Sequence, residues 1–191
     1  EKRHEQLKSV QNLAPVWLKK VSRIEALLFL YFVALLVHAL LEREVREQVE
    51  ISETTGVVGD TWHERPSRRT PDGGPNPAAQ VTVMNSRAVD LVAGERERWP
   101  LAGDQVYVDL DLGLENLPTG TLLHLGSATL EVTDAPHTGC AKFTERFGVD
   151  ALKLTATPEG KAMRLRGINT RVAKGGTVAV GDAVSVERPG A

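Results

Sequence analysis

The chain of 191 residues carries 23 Lys and Arg against 25 Asp and Glu, a formal net charge of −2, and holds one cysteine. Such a length accommodates one domain, or a domain with an appendage, and the charge balance offers no positive excess to neutralise a phosphate backbone, which argues against nucleic-acid binding. A lone thiol cannot close an internal disulfide, which excludes the stapled secreted scaffolds and favours a reducing compartment, the cytoplasm by default.

The opening stretch, EKRHEQLKSVQNLAPVWLKK, is charged and polar where a secretory signal turns apolar after a short basic start. A chain that begins on Glu1 rather than Met reads as trimmed, or as a fragment. Residues 22–48, SRIEALLFLYFVALLVHALLEREVREQ, predict one long helix. Ser22 and Glu25 have the spacing of a capping box, and Glu42–Arg46 and Arg43–Glu47 are i,i+4 pairs of opposite charge. From Ala26 to Leu41 the segment is apolar nearly all round, so it belongs either inside a larger protein or at a membrane. The run falls short of the roughly 20 residues a bilayer crossing needs, and His38, read as a packing residue, interrupts it.

Beyond about residue 50 the pattern changes to short alternating runs punctuated by Gly, Pro and Asp, which predicts a mainly β domain over 50–191 behind a helical segment over 1–49. The loop HERPSRRTPDGGPNP, residues 63–77, gathers Arg65, Arg68 and Arg69 among residues that suit neither helix nor central strand. SRAVDLVAGERERW predicts a helix. GDQVYVD at 103–109 and GDAVSVE at 181–187 repeat one device, a Gly-Asp turn followed by alternating valines, as expected of strands with one buried face. GTLLHLGSATLEVTD predicts a hairpin turning at Gly126–Ser127, with Leu123, Leu125, Leu130 and Val132 toward the core. CAKFTERFGVDAL predicts a second helix with Phe143 and Phe147 on one side. AMRLRGINTRV alternates as a strand would, with Met163 and Leu165 on one face and Arg164 and Arg166 on the other.

The lone cysteine stands in APHTGCAKF, residues 135–143. A thiol is a nucleophile or a metal ligand only as thiolate, so its surroundings must lower a free pKa of about 8.5. A helix beginning near Cys140 would favour negative charge on the sulfur through its N-terminal amides, and Lys142 and His137 can add positive charge. The plain alternative is a small buried residue, the usual state of a free cysteine. His137 either orients the thiolate or contacts a ligand, or is a solvated loop histidine. No His/Cys cluster with zinc spacing, phosphate-binding Gly-Lys loop or Gly-x-Ser-x-Gly elbow occurs, which excludes those classes.

From about Gly56 to Arg188 the chain resembles a MOSC domain, the module named after the C-terminal part of molybdenum cofactor sulfurase. The resemblance rests on GDQVYVDLDLGLENLPTGTLLHLGSATLEVTDAPHTGCAKFTERFG, which includes Glu-Asn-Leu at 115–117, followed by RLRGINTRVAKGGTVAVGDAV. PHTGC stands where many members have a shorter Pro-Cys arrangement. The resemblance implies a compact β-barrel with few helices, and molybdenum-cofactor (molybdopterin) or sulfur chemistry centred on Cys140, as metal ligand or persulfide carrier, with His137 and Lys142 as its catalytic neighbours. It further implies that an anionic pterin cofactor is held by Asn116 and by arginines, with Arg65, Arg68 and Arg69 as one candidate group, whose plain alternative is a solvated loop, and Arg164, Arg166 and Arg171 as a second, better fixed on a strand. Such a module is an oxidoreductase, a sulfurtransferase or only a binding module, and any electron or sulfur donor must be a separate partner.

Residues 1–48 are similar to the C-terminal end of DDE transposases of bacterial insertion elements, in which an Arg-Ile pair opens a late buried helix. The metal-binding carboxylates of those enzymes lie upstream of this helix, so no transposase activity is implied. On this resemblance the chain is a fusion in which a transposase tail precedes a MOSC domain, either functional or the product of a disrupted gene. The apolar segment 26–41 is then expected to lack its parent core and to promote self-association or membrane association.

Overall fold

The computed structural model describes residues 21–41 and 46–190, and its contacts divide the chain into two units between Glu44 and Val45. In the first unit a helix, α1, spans Val21–Leu41. No helix among the described residues is long and apolar enough to cross a membrane. The helix was expected to run to 48, but Arg46 and Glu47 are not helical and Gln48 opens a strand. The expected i,i+4 pairs therefore do not form on a helix, and Glu42 and Arg43 lie outside the described residues, as do 1–20 and the side chains of Ser22 and His38. Strand pairing overrides the local helical pattern here: in β1 (Gln48–Ser52) Val49 and Ile51 alternate with polar residues, and Ile51 is buried against the core. The second unit thus opens at Val45, earlier than the boundary expected at 50.

The second unit is mainly β. A three-stranded sheet has the order β2-β1-β8, with β2 at Gly56–Val57 and β8 at Gly176–Ala179, all antiparallel. A six-stranded sheet has the order β4-β3-β7-β6-β5-β9, formed by β3 (Val81–Asn85), β4 (Val106–Val108), β5 (Leu122–Leu125), β6 (Ala128–Val132), β7 (Ile168–Lys174) and β9 (Val184–Glu187). Among the described strands only β3 and β4 pair in parallel, and the helix that crosses between them is α2 (Ser86–Ala93). Asn85 caps α2, its side chain accepting from the backbone N–H groups of Arg87 and Ala88. The expected closed barrel is realised as a curled half-barrel whose outer strands are β4 and β9.

The alternating leucines and valines do what their period requires. Leu123, Leu125, Leu130 and Val132 are buried with Val81, Val83, Val108 and Ile168 in one core. The hairpin turns at Gly126–Ser127, as Leu125 pairs with Ala128, and Gly126 has the positive φ of 54° that such a turn asks of glycine. A second cluster, Met84, Ala88, Val89, Ala93 and Ala102, lies between α2 and a 3-10 segment at Arg96–Ala102.

A glutamine is one of the links between the two sheets. Gln80 is buried, its Nε2 donates to the Glu53 carbonyl at 2.8 Å in the turn after β1, and its Oε1 accepts from Val172 N–H of β7 at 2.9 Å. A buried amide with both ends satisfied is a specific link rather than a cost.

One expected strand begins late. Residues 162–167 are not extended: Pro158–Ala162 form a short helix, α4, Met163 to Arg166 follow as turn, and β7 starts only at Ile168. Arg164 has a φ of 49° and Gly167 one of 100°, backbone that no strand adopts. Arg164 and Arg166 therefore do not share a basic sheet face.

Candidate functional site

The segment between β6 and the next helix, α3 (Ala141–Ala156), is pinned at its start and its end. Thr133 donates through its backbone N–H and its hydroxyl to the Asn169 carbonyl, each at 3.1 Å, and Asn169 Nδ2 donates to the Ala135 carbonyl at 3.2 Å. At the other end Cys140 is the N-cap of α3, with an exposed thiol that makes no capping hydrogen bond. Its predecessor Gly139 packs against Leu152, where a Cβ would force the Leu152 side chain to shift. Phe143 and Phe147 meet with tilted rings, centroids 5.0 Å apart, on the inner side of the helix, Phe143 being fully buried. Gly148, with φ 86°, kinks α3 after that contact.

The Thr133–Gly139 segment walls a cavity of about 430 Å³, completed by Leu152, Thr155, Lys161, Arg164, Arg166 and Asn169. Beneath it lies a buried group of charges. Arg166 Nη1 donates to Asp104 Oδ2 at 2.6 Å and its Nη2 to the Ala102 carbonyl at 3.0 Å, while its guanidinium carbon sits 4.8 Å from the centre of the Phe143 ring. The other carboxylate oxygen of Asp104 stands 3.5 Å from His137 Nδ1. Asp104 Oδ1, His137 Nδ1 and Arg166 Nε are all buried without a hydrogen-bond partner. Burial pushes the Asp104 carboxyl up to about 6, opposed by the Arg166 charge. Burial lowers the His137 imidazole to about 3, with the Arg166 charge acting in the same direction. Burial also raises the Tyr107 phenol, Asp104 adding to the effect, and its hydroxyl donates to the Trp99 carbonyl at 2.7 Å.

The sequence-predicted residues separate into two sets. Cys140, His137, Arg164 and Arg166 come together at or beside this cavity, although Arg164 and Arg166 reach it from a turn instead of a strand. Arg164 Nη1 donates to the Leu117 carbonyl at 2.7 Å, and burial lowers its pKa from the ordinary arginine value. Lys142 is exposed on the first turn of α3. The others are elsewhere or engaged. Arg65 pairs with Asp60 at 2.9 Å, and Arg68 and Arg69 sit on an exposed turn outside the cavity lining. The Asn116 amide donates to the Asp111 carbonyl at 2.6 Å and its oxygen accepts from Arg188, so it closes a loop. Arg171 pairs with Glu131 at 2.6 Å across β6 and β7. Sequence reasoning missed Asp104, Lys161 and Asn169; Asp104 was read only as the second residue of a turn.

Among the described residues no group of three or more His, Cys, Asp and Glu side chains is placed to hold a metal ion. A metal here would have to bring most of its own ligands, and Cys140 is the sulfur the chain can add.

No curated protein matches this chain. Among solved structures it is similar to the YUAD protein from Bacillus subtilis, with 19% identity and a TM-score of 0.52, over 75% of this chain and 86% of that one. YiiM from Escherichia coli matches with 19% identity and a TM-score of 0.49, over 75% of this chain but only 63% of its own, so the chain spans less than two thirds of that protein. At such identity the YUAD likeness speaks for the fold alone. The family model described as the MOSC domain matches residues 70–185, which takes in both strands of the hairpin, the cavity wall, Cys140 and the buried Asp104–Arg166 pair, and the chain therefore belongs to the MOSC domain family.

Proposed function

We propose that the MOSC domain of this chain binds a molybdenum cofactor or carries sulfur at the cavity beside Cys140. The observation that supports this reading most is the position of the thiol: exposed, at the N-terminus of α3 ahead of its kink at Gly148, and contiguous with a wall that also presents Lys161 and Arg164. The residues fit an anionic, sulfur-rich group in two respects. Cys140 offers one soft donor free of competing hydrogen bonds, and the buried Arg166 Nε beneath the cavity has no partner of its own. In this reading Cys140 is the ligand to the metal or the bearer of a persulfide, and Lys161 and Arg164 hold the anionic part. A bound molybdenum cofactor would supply a redox-active centre. The remaining arginine candidates, Arg65, Arg68, Arg69 and Arg171, and Asn116 and Lys142, join the reading only as outer contacts. As an enzyme it would draw on a separate electron or sulfur donor, in the cytoplasm.

The test measures bound molybdenum, and separately labile sulfane sulfur, in protein from a cofactor-producing host, for the wild type and Cys140→Ser. Loss of either signal in the variant supports the matching branch. Equal molybdenum and no sulfane sulfur in both proteins removes Cys140 from the chemistry.

A second reading, a fusion with a transposase tail over residues 1–48, draws on the division of contacts between Glu44 and Val45. In α1 Leu28, Phe29, Leu30 and Phe32 are exposed, which favours self-association or association with membranes. Limited proteolysis with sedimentation decides this: a protease-resistant monomer of the whole chain refutes the appended-tail reading.

A further inference from the structure

Three buried polar atoms meet under the cavity without partners, and native proteins rarely leave such atoms unpaired without a use for them. Two of the three face each other. Asp104 Oδ1 and His137 Nδ1 are 3.5 Å apart, a small displacement from a hydrogen bond, and neither atom has another hydrogen-bond partner in this geometry. Asp104 itself cannot turn away, because its second oxygen is clamped by Arg166, which is held in turn by the Ala102 carbonyl and by the face of Phe143. His137 is also closely packed: its Nδ1 lies against Gly167, at φ 100°, where a Cβ would press on Nδ1 from one side and collide with the Val83 carbonyl on the other. The imidazole is 14% exposed and lines the cavity, so its accessible edge is the one that carries Nε2.

We infer that Asp104, clamped by Arg166, fixes His137 as the Nδ1–H tautomer and so presents Nε2 as a hydrogen-bond acceptor on the cavity wall, suited to a ligand group bearing an N–H or O–H. An ionised carboxylate can only accept, so the shared proton must sit on Nδ1, which leaves a lone pair on Nε2. Burial keeps the ring neutral near pH 7, which makes it an acceptor there and not a cation. Asp104 and Arg166 are positioning residues, and His137 is the group that meets the ligand. The arrangement rests on the contacts of Asp104 with Arg166 and His137 and makes no use of Cys140, although Arg166 Nε also enters the cofactor reading.

The experiment records imidazole ¹⁵N chemical shifts of His137 in the full chain at pH 7.5, with His137→Gln supplying the assignment. The wild type should show Nδ1 in the protonated range and Nε2 in the unprotonated range. In Asp104→Asn the side-chain oxygen stays on Arg166 and the amide donates toward Nδ1, so the two shifts should exchange. A wild-type ring protonated on Nε2, or on both nitrogens, overturns the inference. So does an unchanged tautomer in Asp104→Asn when the rest of its amide spectrum matches wild type. If that variant does not fold, the wild-type shifts alone decide.

Discussion

Replacing His137 by Gln should change how stability depends on pH, and by an amount the structure sets. The folded-state value of His137 is about 3, below its ordinary 6.5, because burial and the nearby Arg166 both disfavour the imidazolium. A basic group whose pKa falls on folding binds its proton only in the unfolded chain across that window, so the native state loses stability as pH drops from 6.5 toward 3. One pKa unit corresponds to about 1.4 kcal/mol, which gives a loss of about 2 kcal/mol at pH 5 and about 3 kcal/mol at pH 4 relative to neutral pH. Asp104 works in the opposite direction. Its carboxyl, raised from 3.8 to about 6, takes up a proton in the folded state first, so acidification through pH 6 adds stability until the unfolded carboxyl also protonates near 3.8. In the wild type the two contributions nearly cancel between pH 6 and 4. In His137→Gln only the Asp104 contribution remains, and the variant should gain on the wild type by about 2 kcal/mol on going from pH 7.5 to 5. Urea unfolding of both proteins at half-unit pH intervals measures this difference. A difference that stays constant from pH 7.5 to 4.5 refutes the argument, since it would mean that His137 titrates in the folded protein as it does in water.

Three further outcomes follow from the same geometry. Arg166→Met should cost about 3–5 kcal/mol at pH 7.5 by leaving Asp104 buried and unpaired, and the loss should shrink at pH 5, where Asp104 is protonated; urea midpoints at both values test it. Gly167→Ala should be strongly destabilising, above the about 1–3 kcal/mol of a strained backbone, since its Cβ also meets the Val83 carbonyl; thermal unfolding against Gly73→Ala, which shares a positive φ but has open space around it, separates backbone strain from collision. Arg68→Ala with Arg69→Ala should leave Tm nearly unchanged, because exposed arginines add little to stability; a sharp fall would make the 63–77 loop structural.

What the sequence disclosed depended on how local the governing contacts are. The hairpin at Gly126–Ser127 was legible because its turn residues and its alternating leucines lie within one short stretch. The helix beginning after Cys140 was legible for a like reason, as Phe143 and Phe147 meet one turn apart. The turn before β7 was not. Met-Arg-Leu-Arg imitates the period of a strand, and what makes Arg166 a buried residue is an aspartate 62 positions away in the chain. The two Gly-Asp pairs make the same point. Asp182 is exposed and accepts the Ala179 N–H at 2.8 Å within its own turn, whereas Asp104 is buried on Arg166. Nothing in either tetrapeptide distinguishes them, so a residue central to the candidate site passed as punctuation.

The glutamine between the two sheets bears on how this domain opens. Pulling the three-stranded sheet away from the larger one would strip Gln80 of the Glu53 carbonyl and expose the Val172 amide in a single event, while β1, β2 and β8 would keep their own ladder. Detachment of the small sheet thus breaks the Gln80 link together with the contacts that Thr177 of β8 makes with Ser127, its carbonyl accepting the Ser127 N–H at 3.0 Å and its N–H donating to the Ser127 hydroxyl at 2.8 Å. The Val172 amide should exchange with solvent at the rate of that detachment, more slowly than a frayed strand end and in step with the turn after Ser52, so that one resonance reports whether the two sheets move as a single body.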